Sequence, residues 1–427
     1  MSVVADLHIH SKYSRATSQN MDITEITRYA KIKGLKLVGT GDFTHPRWFN
    51  ELSEELTEVA GTSLYCSKKH PESPIRYMIT AEVCTIFKVD EKSKKIHHII
   101  FTPSLETATQ INDRLKCYGD LSVDGRPFLD MTASQLVEEV IGVSDENEVV
   151  PAHVWTPWFS LFGAFSGFDK VEDCYEDMTK HIHALETGLS SDPPMNWRLS
   201  SLDKFTLISN SDCHSHWPWR IGREANVFEL EQFTYMEVID AIRKKDPKRF
   251  KYTIETNPAY GKYHWTGHRN CNISLPPQEA IKYGNRCPKC GRKLTRGVEQ
   301  RIEELADRPA DYTPENGIGY KRLLPLSEII TAVLGVSYQG VKKVWNIYNP
   351  LIEKFGDEYT VLIDAPQKEM AQIVDTKIAE AIIRVREEKA KVIPGYDGVY
   401  GQLAIFDEEQ ENMAPQKPKQ KSMSDFI

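Results

Sequence analysis

The sequence predicts an α/β fold made of repeated β-α units around a mainly parallel sheet, followed by a small metal-closed module and a helical unit. Three observations carry this expectation. From residue 1 to about 255, β-rich runs such as "KLVGTGDF", "RYMITAEVCTIFKV", "KIHHIIFTP", "EVVPAHVW", "HALETGL" and "FTLISNSDCH" alternate with helix-like segments at 22–34, 104–116, 132–141 and 231–245. Between 267 and 290, histidine and cysteine recur at metal-ligand spacing. After the break "DRPADYTPENGIGYKR", the runs "LSEIITAVLGV", "YQGVKKVWNIYNPLIEKFG" and "EMAQIVDTKIAEAIIRVREEKAK" show helical periodicity. The boundaries expected from these breaks are 1–255, 256–310, 311–400 and a polar tail over 401–427.

Length and composition narrow the function. A chain of 427 residues is about three times a typical ~150-residue domain, so two or three domains with a well-buried core are expected. Charged residues make up 27% and hydrophobic residues 40%, and no apolar run approaches the ~18 residues of a membrane span. The start "MSVVADLHIHSK" has no basic segment followed by a long apolar stretch, so no signal peptide is expected, and the protein is read as cytoplasmic. Five of the eight cysteines are scattered and three cluster as metal ligands would, so no disulfides are expected. The net charge of -8 argues against a surface coated for nucleic acid. Local basic stretches nonetheless occur at "AIRKKDPKRFK" and "RCPKCGRKLTRGVEQR".

The first strand, "ADLHIHSKYS", sets His8 and His10 at i and i+2. That spacing places both imidazoles on one face, about 6.6 Å apart along the strand, where they can converge on one ion. Further ligand-type residues recur near predicted strand ends: Asp42 and His45 in "GTGDFTHP", Glu82 in "TAEV", His97 and His98 in "IHHIIF", His153 in "PAHVWTP", and Asp212 with His214 in "NSDCHS". Loops at strand ends are where α/β sheets and barrels place their chemistry. Imidazole and carboxylate together suit zinc, manganese or iron, with magnesium also considered, and this many donors point to two or three divalent ions. Multinuclear sites of this kind hydrolyse phosphate esters: one ion activates water while its neighbour neutralises phosphoryl charge. A carboxylate such as Glu82 suits bridging two cations.

The motifs "DLHIHS", "GTGDFTHP", "AEV", "IHHIIFTPS", "AHVWTPWFSLFG" and "NSDCHS" together resemble the PHP (polymerase and histidinol phosphatase) superfamily over residues 1 to about 230. The resemblance implies a distorted seven-stranded β/α (PHP) barrel with a trinuclear metal site. It implies that His8, His10, Glu82, His153, Asp212 and His214 are ligands, with the catalytic role on His8, His10, Glu82, Asp212 and His214. Asp42 and His45 are carried over where most members have adjacent Asp-His. His97 rather than His98 is favoured by its spacing to "TPS". The extra histidine that some members carry after the first strand is missing; Lys12 and Arg15 stand there instead, suited to a phosphate backbone or to ordinary surface charge.

Downstream, "GHRNC" and "CPKC" supply two knuckles with ligands three apart, which close a tetrahedral structural zinc site from His268, Cys271, Cys287 and Cys290, with His264 as the spare. Arg286, Lys289, Arg292, Lys293 and Arg296 lie on the same small ribbon, as phosphate binding would require. Barrel, basic zinc ribbon and helical C-terminal unit together resemble the endonuclease Q group of PHP proteins. That resemblance spans roughly residues 1–400 and implies a DNA repair endonuclease cutting 5′ of deaminated bases (uracil, hypoxanthine, xanthine) and abasic sites.

Inspection of one base requires rotating it out of the stack, and hence a pocket beside the metals. Ser190 and Asn210 are expected at strand ends next to the ligands, either on a base edge or, alternatively, capping a helix and orienting a ligand. Trp155 and Trp158, in "VWTPWFSLFGAFSGF", suit either stacking on a base or wedging the duplex, or burial under the barrel mouth. Arg220 and Arg223 suit phosphates. In the tail, Gln420, Met423, Phe426 and Ile427 resemble the short motif by which repair proteins dock on the sliding clamp (PCNA). Other readings of the chain are a PHP-type phosphomonoesterase or exonuclease, and, from a different class, a DNA-binding scaffold with an inert barrel.

Overall fold

The computed structural model describes residues 1–406. The strands are β1 (Ser2–Asp6), β2 (Leu37–Gly39), β3 (Leu56–Val59), β4 (Leu64–Ser67), β5 (Arg76–Val89), β6 (Lys92–Thr102), β7 (Phe128–Leu129), β8 (Glu148–Pro151), β9 (Ala184–Glu186), β10 (Thr206–Ile208), β11 (Ala225–Glu229), β12 (Phe250–Glu255), β13 (Thr266–His268), β14 (Ile273–Leu275) and β15 (Gly319–Arg322), with a further pair near the end of the described chain. An eleven-stranded sheet runs β15-β12-β11-β1-β2-β5-β4-β3, with β6 and β7 on β5 and β8 on β6, while β9 and β10 form their own parallel pair.

The sheet is mixed, which corrects the mainly parallel expectation. β1 pairs parallel with β2, and β2 with β5. The β1/β11, β5/β6, β6/β8 and β11/β12 pairs are antiparallel. The physical reason is clearest at β5 and β6. Asp90 and Glu91 both take positive φ, 48° and 60°, the two-residue turn that matches strand twist. The long β-rich run therefore doubles back as a hairpin in which Val89 pairs with Lys92, and Glu82 and His97 fall inside strands rather than at their ends.

The helices follow their sequence signals closely. Asp22 caps Ile23–Lys33 by accepting from the Glu25 amide, and Gly34 ends that helix at φ 98°. Ser104, Thr132 and Thr234 cap the helices Leu105–Leu115, Ala133–Ile141 and Tyr235–Arg243 in the same way. The buried face of Tyr235–Arg243 packs into a second core on the other side of β1 with Val3, Ala5 and Phe228, and those of the other three join one large apolar core.

The C-terminal helices Leu326–Leu334, Lys342–Phe355, Glu358–Ile363, Gln367–Met370 and Thr376–Arg386 pack into that same core. A buried ion pair helps tie them down: Lys33 Nζ lies 2.7 Å from Glu358 Oε1, and both side chains are within 1% of complete burial. Glu358 also accepts from the Leu326 amide and the Tyr348 hydroxyl, and the Tyr359 hydroxyl donates to the Gly222 carbonyl. The last part of the expected helical unit is not helical. Lys391–Ile393 and Gln402–Ala404 pair as antiparallel strands and reach back to the cysteine module, where Asp397 accepts from the Thr295 hydroxyl (2.6 Å) and the Arg269 amide (2.7 Å). Regular structure thus continues past residue 401, where the tail was expected to start. Among the described residues no helix is long and apolar enough to cross a membrane.

Candidate metal and active site

The chain leaves β1 still extended, held by a bridge from Ile9 to Cys213, so His8 and His10 project together with ring centroids 5.4 Å apart. Glu82, buried on β5, is the pivot. Its Oε2 faces His10 Nε2 at 3.2 Å and His8 Nε2 at 3.5 Å; its Oε1 faces His97 Nδ1 at 2.8 Å and His153 Nε2 at 3.1 Å. Asp212 closes the first side, its Oδ1 lying 3.0 Å from His10 Nε2 and 3.6 Å from His8 Nε2. Two donor sets result, His8-His10-Glu82-Asp212 and Glu82-His97-His153, and within each set the ligand atoms lie within 4.8 Å of one another.

Cations fit these sets on the structure's own terms. His8 Nε2 is buried with no hydrogen-bond partner among the described residues, an expensive state for a polar atom unless something binds it. The donors are neutral-capable imidazoles and carboxylates, the chemistry that holds zinc, manganese and iron. His8 and His10 are pushed toward the charged form, whereas burial brings His97 down to about 3. Burial opposes a charged His8, but the carboxylates of Glu186, Glu82 and Asp212 outweigh it and hold the pKa well above the ordinary value. His10 is raised against the same burial by Asp42, Asp212 and Glu82. Glu82 is held well below the carboxylate range despite burial, through His97 and Arg126 above all. A metal bound at the His8 and His10 rings would displace their protons, so its affinity would rise with pH.

Backbone conformation at the site is unusual. Asp42, His153 and Asp212 all lie at positive φ (51°, 31° and 47°), a costly state for non-glycine residues that concentrates where function dictates side-chain direction. Gly188, also at positive φ, lets the chain after β9 pass His153: a Cβ there would come within 2.7 Å of the histidine Cβ.

The hairpin register separates His97 from His98. His97 pairs with Cys84, two residues from Glu82 and on the same face, whereas His98 points to the opposite side against Tyr175. Asp42 stands behind His10 instead of joining the converging donors, because its oxygens hold His10 Nδ1 (2.9 Å), the Ser11 amide and hydroxyl, and the Ser14 hydroxyl. His45 is likewise outside both sets, its Nε2 3.1 Å from the Ser122 carbonyl and its ring stacked on Tyr13. His214 stands at the rim, stacked on His10 at 4.4 Å, with Nε2 3.7 Å from Asp212.

The residues expected to touch substrate divide. Asn210 is fully buried, donating to Glu186 Oε1 and accepting from the Leu7 amide, so it braces the site and has no edge to offer a base. Trp155 is buried too, its indole N–H donating to Asn196 at 2.7 Å, so stacking on a base is ruled out there. Trp158 is 40% exposed, stacked on Phe165 and edge-on to Tyr263. The buried Ser190 hydroxyl has no partner among the described residues, and the same is true of Arg223 Nε; Arg220 is exposed. Lys12 is paired with Glu51 at 2.8 Å, and Arg15 lies largely in solvent near Asp124. Gln420, Met423, Phe426 and Ile427 lie outside the described residues.

Two residues escaped the sequence reading. Glu186, at the end of β9, accepts from His8 Nδ1 at 3.0 Å, from the His153 amide and from Asn210. The signal was present in "HALETGL", an acid closing a buried apolar strand. Arg126, in "DGRPF", donates to Glu82 at 2.9 Å, and no spacing pointed to it. Because Glu186 fixes the ring that carries the orphaned His8 Nε2, Glu186→Gln is expected to weaken metal binding at this centre by about 10–100-fold. Competitive titration with a chromophoric chelator measures this, and unchanged affinity would remove Glu186 from the site.

In the cysteine module, β13 and β14 form a hairpin, and the ligand atoms of His268, Cys271, Cys287 and Cys290 gather within 4.8 Å of one another. Backbone N–H groups of Lys289 and Cys290 bring the Cys287 thiol down to about 6 against its burial, favouring the thiolate that binds metal. His264 is engaged with Glu299 at 3.4 Å instead. Arg286, Lys289, Arg292 and Lys293 are exposed on this module, while Arg296 pairs with Glu304.

Residues 325–389 match a family model described as the MJ0043 C-terminal domain. The protein MJ0043 of Methanocaldococcus jannaschii is 35% identical over 255 residues, 59% of this chain and 31% of that protein, so the chain spans about a third of this relative's length. Among solved structures, the lesion-specific endonuclease PfuEndoQ from Pyrococcus furiosus matches with a TM-score of 0.84 at 33% identity, covering 97% of this chain and 100% of that one. A complex of endonuclease Q with a 27-mer duplex substrate carrying an abasic lesion at the active site matches at 34% identity with a TM-score of 0.84, covering 96% and 98%.

Proposed function

This chain belongs to the endonuclease Q family, and on that premise we propose that it is a metal-dependent DNA repair endonuclease that hydrolyses the phosphodiester 5′ of a deaminated base (uracil, hypoxanthine or xanthine) or an abasic site. The observation that carries the reading is the division of Glu82 between two donor sets, with His8 and His10 on one oxygen, closed by Asp212, and His97 and His153 on the other.

In this reading those residues, with His214 at the rim, hold two or three divalent ions among zinc, manganese, iron and magnesium. Bound there, such ions supply an activated water and neutralise phosphoryl charge. The protein's own part is orientation. Glu186 and Asp42 fix the His8 and His10 rings, and β5 and β6 hold Glu82 and His97 on one face. In the hydrolysis, a water oxygen bonds to phosphorus as one phosphorus–oxygen ester bond breaks. The departing oxygen takes up a proton, and the other proton of the water passes to solvent.

The further parts of the reading are a distorted barrel over residues 1–255, a zinc ribbon over 256–310 closed by His268, Cys271, Cys287 and Cys290, and a helical unit over 311–400. Trp158, exposed beside Phe165 and Tyr263, offers a stacking edge. Arg223 Nε and the Ser190 hydroxyl, both without a partner among the described residues, are groups that a phosphate and a base edge would satisfy. The tail residues Gln420, Met423, Phe426 and Ile427 complete the proposal as a sliding-clamp (PCNA) contact.

The test is incubation with Mg²⁺, Mn²⁺ or Zn²⁺ and labelled duplexes carrying one uracil, one hypoxanthine, one abasic site or none, alongside p-nitrophenyl phosphate. Nicks 5′ of the lesion and none in the plain duplex are the expected result. Release of nitrophenol with every duplex intact would replace the reading with a phosphomonoesterase.

A further inference from the structure

Arg126 is held over the converging donors by a loop that has almost no freedom. Its Nη1 lies 2.9 Å from Glu82 Oε2, the oxygen shared with His8 and His10, while 26% of the side chain remains open to solvent. The loop is anchored on every side. The Gly125 amide donates to the Tyr13 carbonyl, the Thr44 hydroxyl donates to the Gly125 carbonyl, and the Cys84 amide donates to the Pro127 carbonyl. Asp124 accepts from the Arg15 and Arg126 amides, and Phe128–Leu129 then pairs with β5 at Cys84 and Thr85. Gly125 itself is wedged so tightly that a Cβ would run into the Ser14 hydroxyl and the Asp42 carboxylate. The arginine is thus aimed by the same residues that orient His10, and it spans the distance from solvent to the pivot carboxylate.

Divalent ions held by the donor sets would engage Glu82, and the guanidinium would then face several positive charges. A fixed cation in that position is stable only with an anion beside it. We propose that Arg126 is a catalytic residue whose guanidinium donates to a non-bridging oxygen of the scissile phosphodiester. This rests on the hydrolase reading above. The planar fork of arginine matches two phosphoryl oxygens in a way lysine does not. Arg126 moves no proton; it stays charged while negative charge gathers on the phosphoryl oxygens.

The experiment compares Arg126→Met and Arg126→Lys with the parent holoenzyme on a lesion-bearing duplex and on bis-p-nitrophenyl phosphate, a minimal phosphodiester. Metal per chain and Tm are measured for each. Arg126→Met is expected to lower kcat by about 10²–10³-fold, as loss of one transition-state donor does, with metal content and Tm unchanged; Arg126→Lys recovers about tenfold of that loss. In an Asp212→Asn background, Arg126→Met is also expected to weaken binding of the uncut duplex by about tenfold, the effect of one lost charge-assisted contact. A kcat within threefold of the parent would overturn the proposal. So would loss of metal with duplex affinity unchanged, since Arg126 would then be only a counter-ion for Glu82. If no duplex is nicked but bis-p-nitrophenyl phosphate is cleaved, the DNA reading fails while the Arg126 proposal is still decided, by the same comparison on the small diester.

Discussion

Glu82→Gln is expected to lower kcat for phosphodiester cleavage by at least about 10³-fold and to reduce the metal bound at the Glu82 centre, with the fold retained. Both oxygens of this buried carboxylate are in use, one toward His8, His10 and Arg126, the other toward His97 and His153. An amide has one acceptor oxygen and one donor nitrogen. Whichever way it turns, one donor set meets an N–H where it requires a negative oxygen. Loss of several kcal/mol of charge stabilisation corresponds to a thousandfold in rate or more. Single-turnover cleavage together with elemental analysis checks this, and a variant that keeps its full metal content and cuts within tenfold of the parent would show that Glu82 is not the pivot.

The second large effect is expected at the cysteine module. Its apolar core is only Leu275, Ala280, Cys287 and Leu294, with Cys271 and Ile273 against it, far too little to order a segment of this length. In modules of this kind the binding free energy of zinc, about 10–16 kcal/mol, is the folding free energy. Cys287→Ser is therefore expected to lose one zinc per chain and to open the segment between His264 and Gly297 to protease, while metal at the Glu82 centre is kept. Because Asp397 is hydrogen-bonded to Arg269 and Thr295, cleavage is also expected around 391–404. Limited proteolysis with mass mapping reads this directly, and a protease-resistant variant with parent zinc content would refute the structural role.

The parts of the molecule that were legible in the sequence were those written in local patterns. Helices with a cap and an amphipathic stripe, such as 23–33 and 133–141, fall within a residue or two of their signals. The donor set was legible because histidine is rare and its positions recur near strand ends; His8, His10, Glu82, His97, His153 and Asp212 come together from five separate stretches. Strand direction was not legible, because a β-rich run carries no sign of which neighbour it pairs with, and the turn at Asp90 and Glu91 uses residues that do not advertise positive φ. The role of Asp42 was misread for a related reason: a carboxylate among ligands looks the same in sequence whether it faces the ion or the back of an imidazole. Between the two readings open for Asn210 and for Trp155 the sequence could not choose, because burial depends on the loops that later fold over them.

The Lys33–Glu358 pair links the first helix of the chain to the C-terminal helices inside a common core. Such a pair makes the C-terminal helices a wall of the enzyme and not an appendage. A shortened version ending near residue 310 would bare the apolar face of Ile23–Lys33 that these helices cover and leave Lys33 with the Pro218 carbonyl alone, so engineering toward a minimal nuclease has to resurface that helix at the same time.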